Sequence, residues 1–201
     1  EGLVKTLEHY GVHFDEGAIL GDDGKIEDKG AYGPYRQSKR AEIYHVFAKR
    51  LVEEGKAYPV FTTKEELEKI KSADKKSENS EKDWDSAAQE RREQQTRQRA
   101  ITLEEVERHL AAGDPYSLNI LADGDGEKKL KFTDLIKGTL ELPENDEDFV
   151  LLKSDGIPTY HFAHAVDDHL MGTTHVVRGE EWLPSLPKHL QLFRYLGFKP
   201  V

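Results

Sequence analysis

Residues 149–197 read FVLLKSDGIPTYHFAHAVDDHLMGTTHVVRGEEWLPSLPKHLQLFRYLG, and the fold is decided there. Phe149 to Lys153 is a short apolar run followed by Ser154, Asp155 and Gly156, which predicts a strand ending in a tight turn. Pro158 keeps Ile157 extended. Thr159 is placed to cap a helix from Tyr160 to Met171, with Gly172 as its stop. Phe162, Val166 and Leu170 recur every fourth position and form its buried stripe. His175 to Arg178 predicts a second strand, with Gly179, Glu180, Glu181 and Trp182 beyond its carboxyl end. Ser185 is expected to open a last helix with Leu186, Leu190 and Phe193 inward and Gly197 at its end. Strand, helix, strand, helix is the grammar of a parallel sheet. Ligands of such sheets sit beyond the carboxyl ends of the strands, where Tyr160, Arg178, Glu181 and Trp182 are placed.

Upstream, Leu3, Leu7 and Tyr10 make one helical stripe, closed by Gly11. Gly17 to Gly33 holds five glycines and predicts a long loop or a hairpin turning at Asp23-Gly24. Gly33-Pro34 marks a bend. Ser38 is expected to cap a helix with Ile43, Phe47 and Leu51 inward and Gly55 at its end. Ala57 to Phe61 predicts a strand, and Thr63 with Glu66 a capping box. Ser72 to Asp85 is almost free of apolar side chains and predicts a mobile linker. Ala87 to Arg99 is polar and helical in propensity, and Thr102 with Glu105 is a second capping box before a helix closed by Gly113. Tyr116 to Ala122 and Lys129 to Phe132 alternate as a hairpin would, with Gly124 and Gly126 between them. Shifts of composition near 62 and 148 suggest that 62–148 is inserted into a domain made of 1–61 and 149–201.

The chain of 201 residues carries a net charge of −10 and 34% charged residues, so RNA contact requires a local basic patch. It has no cysteine, which excludes disulfides and thiolate metal sites. No apolar run reaches membrane-spanning length, and no membrane association is expected. The first residues, EGLVKTLEHYG, already read as helix, and both ends read as interior to a longer chain.

Several residues are candidates for chemistry. Arg178 can grip a carboxylate or phosphate with two parallel hydrogen bonds, or pair with Glu180 or Glu181; spacing alone does not choose. Tyr160 can donate its hydroxyl to a ligand, although a half-buried core tyrosine is commoner. Trp182 can stack on a purine or fill the core. His161, His164, Asp167, Asp168 and His169 crowd one helix. His164 and Asp168 are one turn apart, as a metal site requires, yet the pattern is not H-E-x-x-H, so helix-end hydrogen bonds and solvent exposure are the preferred reading. Arg91, Arg92, Arg97 and Arg99 can meet phosphates, or pair with neighbouring glutamates on a solvated helix.

At GPYRQSKRAEIY (33–44), AYPVFTTKEEL (57–67) and LLKSDGIPTYHFAHAVDDHLMGTTHVVRGEEWLPSLPKHLQLF (151–193) the sequence closely resembles the glutamyl-tRNA synthetases of the bacterial type. The resemblance implies an α/β fold: part of a Rossmann-like, parallel-sheet class I catalytic domain, with an inserted α/β domain that receives the tRNA acceptor end. It implies that Tyr160, His164 and Arg178 hold glutamate, with Arg178 on its side-chain carboxylate, and that Glu181 and Trp182 lie by the adenosine of ATP. The position of His164 is often asparagine in related enzymes. The HIGH and KMSKS elements of the family are expected outside residues 1–201, so these residues alone are not expected to form glutamyl-adenylate. Some members carry Cys-x-Cys where this chain has Val60-Phe61-Thr62, so no zinc is expected. ATP with Mg2+, glutamate and tRNA(Glu) are the implied substrates, with no catalytic side-chain base, in a monomeric cytoplasmic parent. The competing readings are the paralogue that loads glutamate onto queuosine in tRNA(Asp) and a non-catalytic RNA-binding module.

Overall fold

The computed structural model describes residues 2–61 and 84–201. The Thr63–Glu66 capping box and most of the Ser72–Asp85 linker lie outside the described residues. Its last two residues belong instead to a helix that begins at Trp84.

Among the described residues three antiparallel sheets are formed. Strands β1 (Gly17–Leu20) and β2 (Ile26–Lys29) pair as a hairpin around Gly24, whose φ of 76° suits a residue without a Cβ. Strands β3 (Ala57–Phe61), β4 (Tyr116–Ile120) and β7 (Val150–Leu152) make the central sheet, with β4 in the middle. Strands β5 (Lys129–Asp134) and β6 (Gly138–Pro143) make a second hairpin. The expected pairing of 116–122 with 129–132 is therefore corrected. The apolar side chains Leu118 and Ile120 of β4 are buried between β3 and β7, whereas the alternating β5 folds back on β6 across a turn fixed by Asp134, whose carboxylate accepts from the amides of Ile136 and Lys137. It follows that a strand from within 62–148 is woven between strands from either side of it.

Six helices are described: α1 (Gly2–His9), α2 (Ala41–Glu53), α3 (Trp84–Arg99), α4 (Leu103–Ala112), α5 (Tyr160–Leu170) and α6 (Leu186–Leu196). The capping box at Thr102 forms in both directions, and Gly113 and Gly197 end their helices in the left-handed conformation. Two other expected caps do not form. Ser38 lies within a short 3₁₀ turn, Gln37–Lys39, and Arg40 occupies the cap position of α2. Ser185 is helical, continuing a 3₁₀ turn over Glu180–Ser185 into α6. Thr159 does precede α5, but its hydroxyl donates to the Val150 carbonyl at 2.7 Å and ties the helix start to β7.

Helices α2, α5 and α6 pack together against the central sheet around Tyr44, Leu51, Phe162, Val166, Leu192 and Leu196. The inward face of α6 is broader than expected: Phe193 is buried as expected, but Leu186 and Leu190 are half-buried, while His189, Gln191 and Leu192 are buried. The expected strand His175–Arg178 is not a strand. Val177 is 97% exposed, and among the described residues no edge pairs with this segment. Alternating β-branched residues favour extension, but a strand also requires a partner for its backbone.

Arg40 is the largest buried side chain. Its Nε donates to Asp167 Oδ1 at 2.9 Å, and one terminal nitrogen donates to the carbonyls of Tyr32 and Pro34. The Tyr44 hydroxyl donates to the other Asp167 oxygen at 2.7 Å. Removing one partner of such a buried pair leaves an uncompensated charge, so Arg40→Met is expected to cost about 3–5 kcal/mol in urea unfolding. A loss under about 1 kcal/mol, the range of exposed pairs, would contradict this account.

Candidate active site

The amino end of α5, the 173–179 segment and the buried face of α6 meet at Arg178. The arginine does not pair with either nearby glutamate. Glu180 instead binds Lys137 Nζ of the β5–β6 turn at 2.5 Å, and the exposed Glu181 folds its carboxylate back against Gly179. Arg178 turns inward: one terminal nitrogen lies 2.8 Å from His164 Nε2 and the other 3.4 Å from His189 Nδ1. His189 Nε2 lies 2.9 Å from His161 Nδ1. The Tyr160 ring stacks on His164, with centroids 5.7 Å apart and planes 3° apart, and its far side meets Trp182 at 4.9 Å.

These contacts fix where the protons are. A guanidinium only donates, so His164 Nε2 and His189 Nδ1 are acceptors. The proton of His164 is then on Nδ1, 3.1 Å from Asp168 Oδ2, although that buried oxygen has no aligned hydrogen bond. The proton of His189 is on Nε2 and is donated to His161 Nδ1. All three rings are neutral. Burial, reinforced by the Arg178 charge, pushes His164 down to about 4. Burial, followed by competition with His164 for a proton and by the Arg178 charge, pushes His189 down to about 3, and burial also lowers His161. Asp168 therefore faces a neutral His164, and burial raises its own carboxyl and that of Asp167.

Solvent exposure is corrected for part of the α5 cluster: the side chains of His164 and Asp168 are only 10% and 13% exposed. Among the described residues no group of three or more histidines and carboxylates could hold a metal ion. Tyr160, His164, Arg178 and Trp182 come together as the sequence suggested, with Glu181 at the rim. His189 was missed, and His161 was grouped only with its own helix. The signal for His189 was present, since His189, Phe193 and Leu196 fall on one helical stripe and a histidine within an apolar stripe calls for a partner.

The four arginines divide. Arg99 grips Asp148 with two nitrogens, at 2.8 and 2.6 Å, and donates to the Ala122 carbonyl, so its fork is occupied within the protein. Arg92 and Arg97 line an open concavity with Gln89, Glu93 and Thr96, and Arg91 belongs to the same helix.

The histidines make stability depend on pH with a definite sign. Above pH 6.5 they are neutral in both states. Below it the unfolded chain takes up protons that the folded chain refuses, so stability falls with pH until the folded values near 4 and 3 are reached. The raised carboxyls of Asp167 and Asp168 act oppositely as pH falls toward the carboxylate range. Urea unfolding at pH 5.0 should thus give about 2–4 kcal/mol less stability than at pH 7.5, and His189→Asn should flatten that slope. Equal stabilities would show that the histidines are not held neutral.

Comparison with known proteins accords with this geometry. The family model for class I tRNA synthetases (E and Q), catalytic domain, matches residues 3–201. The glutamate–tRNA ligase of Clostridium beijerinckii is 46% identical over 199 residues, covering 99% of this chain and 34% of that protein. That of Clostridioides difficile is 42% identical over 200 residues, covering 99% and 38%. A crystal structure of a glutamate tRNA ligase from Elizabethkingia meningosepticum, in complex with its amino acid, superposes with a TM-score of 0.73 at 31% identity, covering 98% of this chain and 37% of that one. The chain thus spans about a third of the length of the relatives it matches. With the match running over nearly all its residues, the chain belongs to the catalytic-domain family of the class I tRNA synthetases for glutamate and glutamine.

Proposed function

We propose that the protein is a glutamate–tRNA ligase, which activates glutamate with ATP and transfers it to the 3′ end of tRNA(Glu). The observation that carries this reading is the state of Arg178. Its guanidinium is oriented by two neutral imidazoles, and among the described residues no carboxylate lies within ion-pair distance of it. Such a cation retains its charge for a ligand, and its fork matches a carboxylate. The relatives named above, each a glutamate–tRNA ligase, support the same substrate and give no support to the queuosine paralogue.

In this reading Arg178 holds the side-chain carboxylate of glutamate and the half-exposed Tyr160 hydroxyl donates to the substrate, with His164 fixing both. Trp182 and Glu181 border the adenosine of ATP, which enters as its Mg2+ complex. The α-carboxylate of glutamate attacks the α-phosphorus and pyrophosphate leaves; the terminal ribose hydroxyl of the tRNA then takes the glutamyl group and AMP leaves. The work of these residues is positioning and charge stabilisation, without a side-chain nucleophile. Residues 62–148 serve as the inserted acceptor-binding unit between the catalytic parts 1–61 and 149–201, with Arg91, Arg92 and Arg97 toward tRNA phosphates. The protein works as a monomer in the cytoplasm; among the described residues no helix is long and apolar enough to cross a membrane.

Arg178→Ala should lower kcat/KM for glutamate by the equivalent of about 2–5 kcal/mol, and Arg178→Lys should not restore it, because an ammonium lacks the fork. A normal kcat/KM in pyrophosphate exchange with the alanine variant would sink the assignment. No structural zinc is expected in residues 1–201, where without cysteine a site would need histidine and carboxylate ligands alone, and stoichiometric zinc in protein purified without added metal would overturn that.

A further inference from the structure

His189 is 1% exposed, lies on α6 and touches no solvent from which a ligand arrives. It is nonetheless the residue that joins the buried face of α6 to Arg178. Its Nδ1 accepts from the guanidinium at 3.4 Å, and its Nε2–H is spent on His161 at 2.9 Å. The His164 ring stands 4.6 Å away, edge to face, so the two imidazoles that flank Arg178 also pack on each other. A carboxylate in place of His189 would orient the arginine equally well, but would cancel its charge. An apolar side chain would preserve the charge and release the orientation. A neutral imidazole with its second nitrogen already engaged does neither.

We propose that His189 is a positioning residue for the amino-acid site, which holds the Arg178 fork through His189 Nδ1 without neutralising it, so that an incoming carboxylate meets a preset cation with no carboxylate bonded to it. The proposal rests on the reading of Arg178 as the glutamate-carboxylate ligand. The groups that face the His189 ring are Tyr160, His161 and His164 of α5, Arg178, and Lys188 of its own helix. Tyr160 and the two histidines are neutral and Arg178 and Lys188 are cationic, so the charges around the ring favour its neutral form.

The test compares His189→Leu, which has similar volume and no acceptor, with His189→Asn, whose side-chain oxygen sits near the position of Nδ1. In the intact enzyme, pyrophosphate exchange is measured against L-glutamate concentration at pH 7.5. His189→Leu should raise KM for glutamate about tenfold or more with kcat within about threefold, as for loss of a hydrogen bond to a charged group. The asparagine variant should return KM to within about threefold of the parent. A merely structural role predicts the opposite pattern, in which both variants lose active protein and KM is unchanged. In parallel, spectra of 15N-histidine-labelled enzyme should show His189 Nδ1 unprotonated, and a protonated Nδ1 would overturn the proposal. If Arg178→Ala weakens glutamate and His189→Leu does not, the positioning role alone is overturned. If Arg178→Ala leaves the glutamate KM unchanged, the glutamate reading fails and this proposal falls with it.

Discussion

The buried contact of Arg40 with Asp167 is the constraint on which the rest depends. It joins one local piece of chain, the Tyr32–Pro34 bend with the start of α2, to α5 far along the sequence. A buried guanidinium is tolerated only when its donors are answered, and here the carboxylate and two carbonyls answer it while Tyr44 takes the second carboxylate oxygen. The polar partners leave little freedom in how α5 is rotated. With Asp167 turned toward α2, the residues three and six positions earlier, His164 and His161, face α6. The stripe that buries Phe162 and Val166 and the stripe that builds the site are therefore set by one contact on the flank of the helix.

At the site itself the electrostatics run against the usual order. Arginines below the surface are commonly neutralised by carboxylates; Arg99 on Asp148 is such a case in this chain. Arg178 instead lies between imidazoles kept neutral by burial and by the arginine itself. The arrangement has an energetic cost, since a half-buried cation has no carboxylate in direct contact and meets Asp168 only across His164, and it is the kind of local cost that folds tolerate at functional sites. Asp168, whose buried oxygen has no aligned donor, belongs to the same set of unsatisfied groups.

The segment 84–148 is tied to the core by polar clamps. Asp148 accepts from Arg99, from the Tyr58 hydroxyl and from the Ala122 amide, which fastens the end of α3 to the central sheet. Asn145 donates to the buried Gln191 of α6, which in turn donates to Asp123. At the far end the β5–β6 turn reaches Glu180 through Lys137, carrying the exposed side chains of Leu135 and Ile136 with it. The hairpin is thus mechanically linked to the loop that carries Arg178.

Several local signals were legible where the residues that decide an element lie within one or two turns of each other, although the caps expected at Ser38 and Ser185 did not form. The Thr102 capping box, the left-handed glycines at 113 and 197, the hairpin at Gly24 and the buried pair Phe162 and Val166 are of this kind, as is the grouping of Tyr160, Arg178 and Trp182 beside α5. What the sequence could not decide was pairing between distant parts. Tyr116–Ile120 and Lys129–Asp134 both alternate, and alternation states that a strand has two faces without naming its neighbour; β4 entered the central sheet because that sheet buries Leu118 and Ile120. Val176-Val177 has strand chemistry and no partner among the described residues. Arg178 could be read from spacing as a ligand grip or as a surface ion pair, and only the fold, by bringing His189 from 11 residues away on a separate helix, determined that its charge is left unpaired. By itself, then, the sequence determined the elements and the residue types of the site, because those follow from short-range sterics and periodicity. The tertiary structure decided which side chains share buried space, and so which protons and charges can exist there.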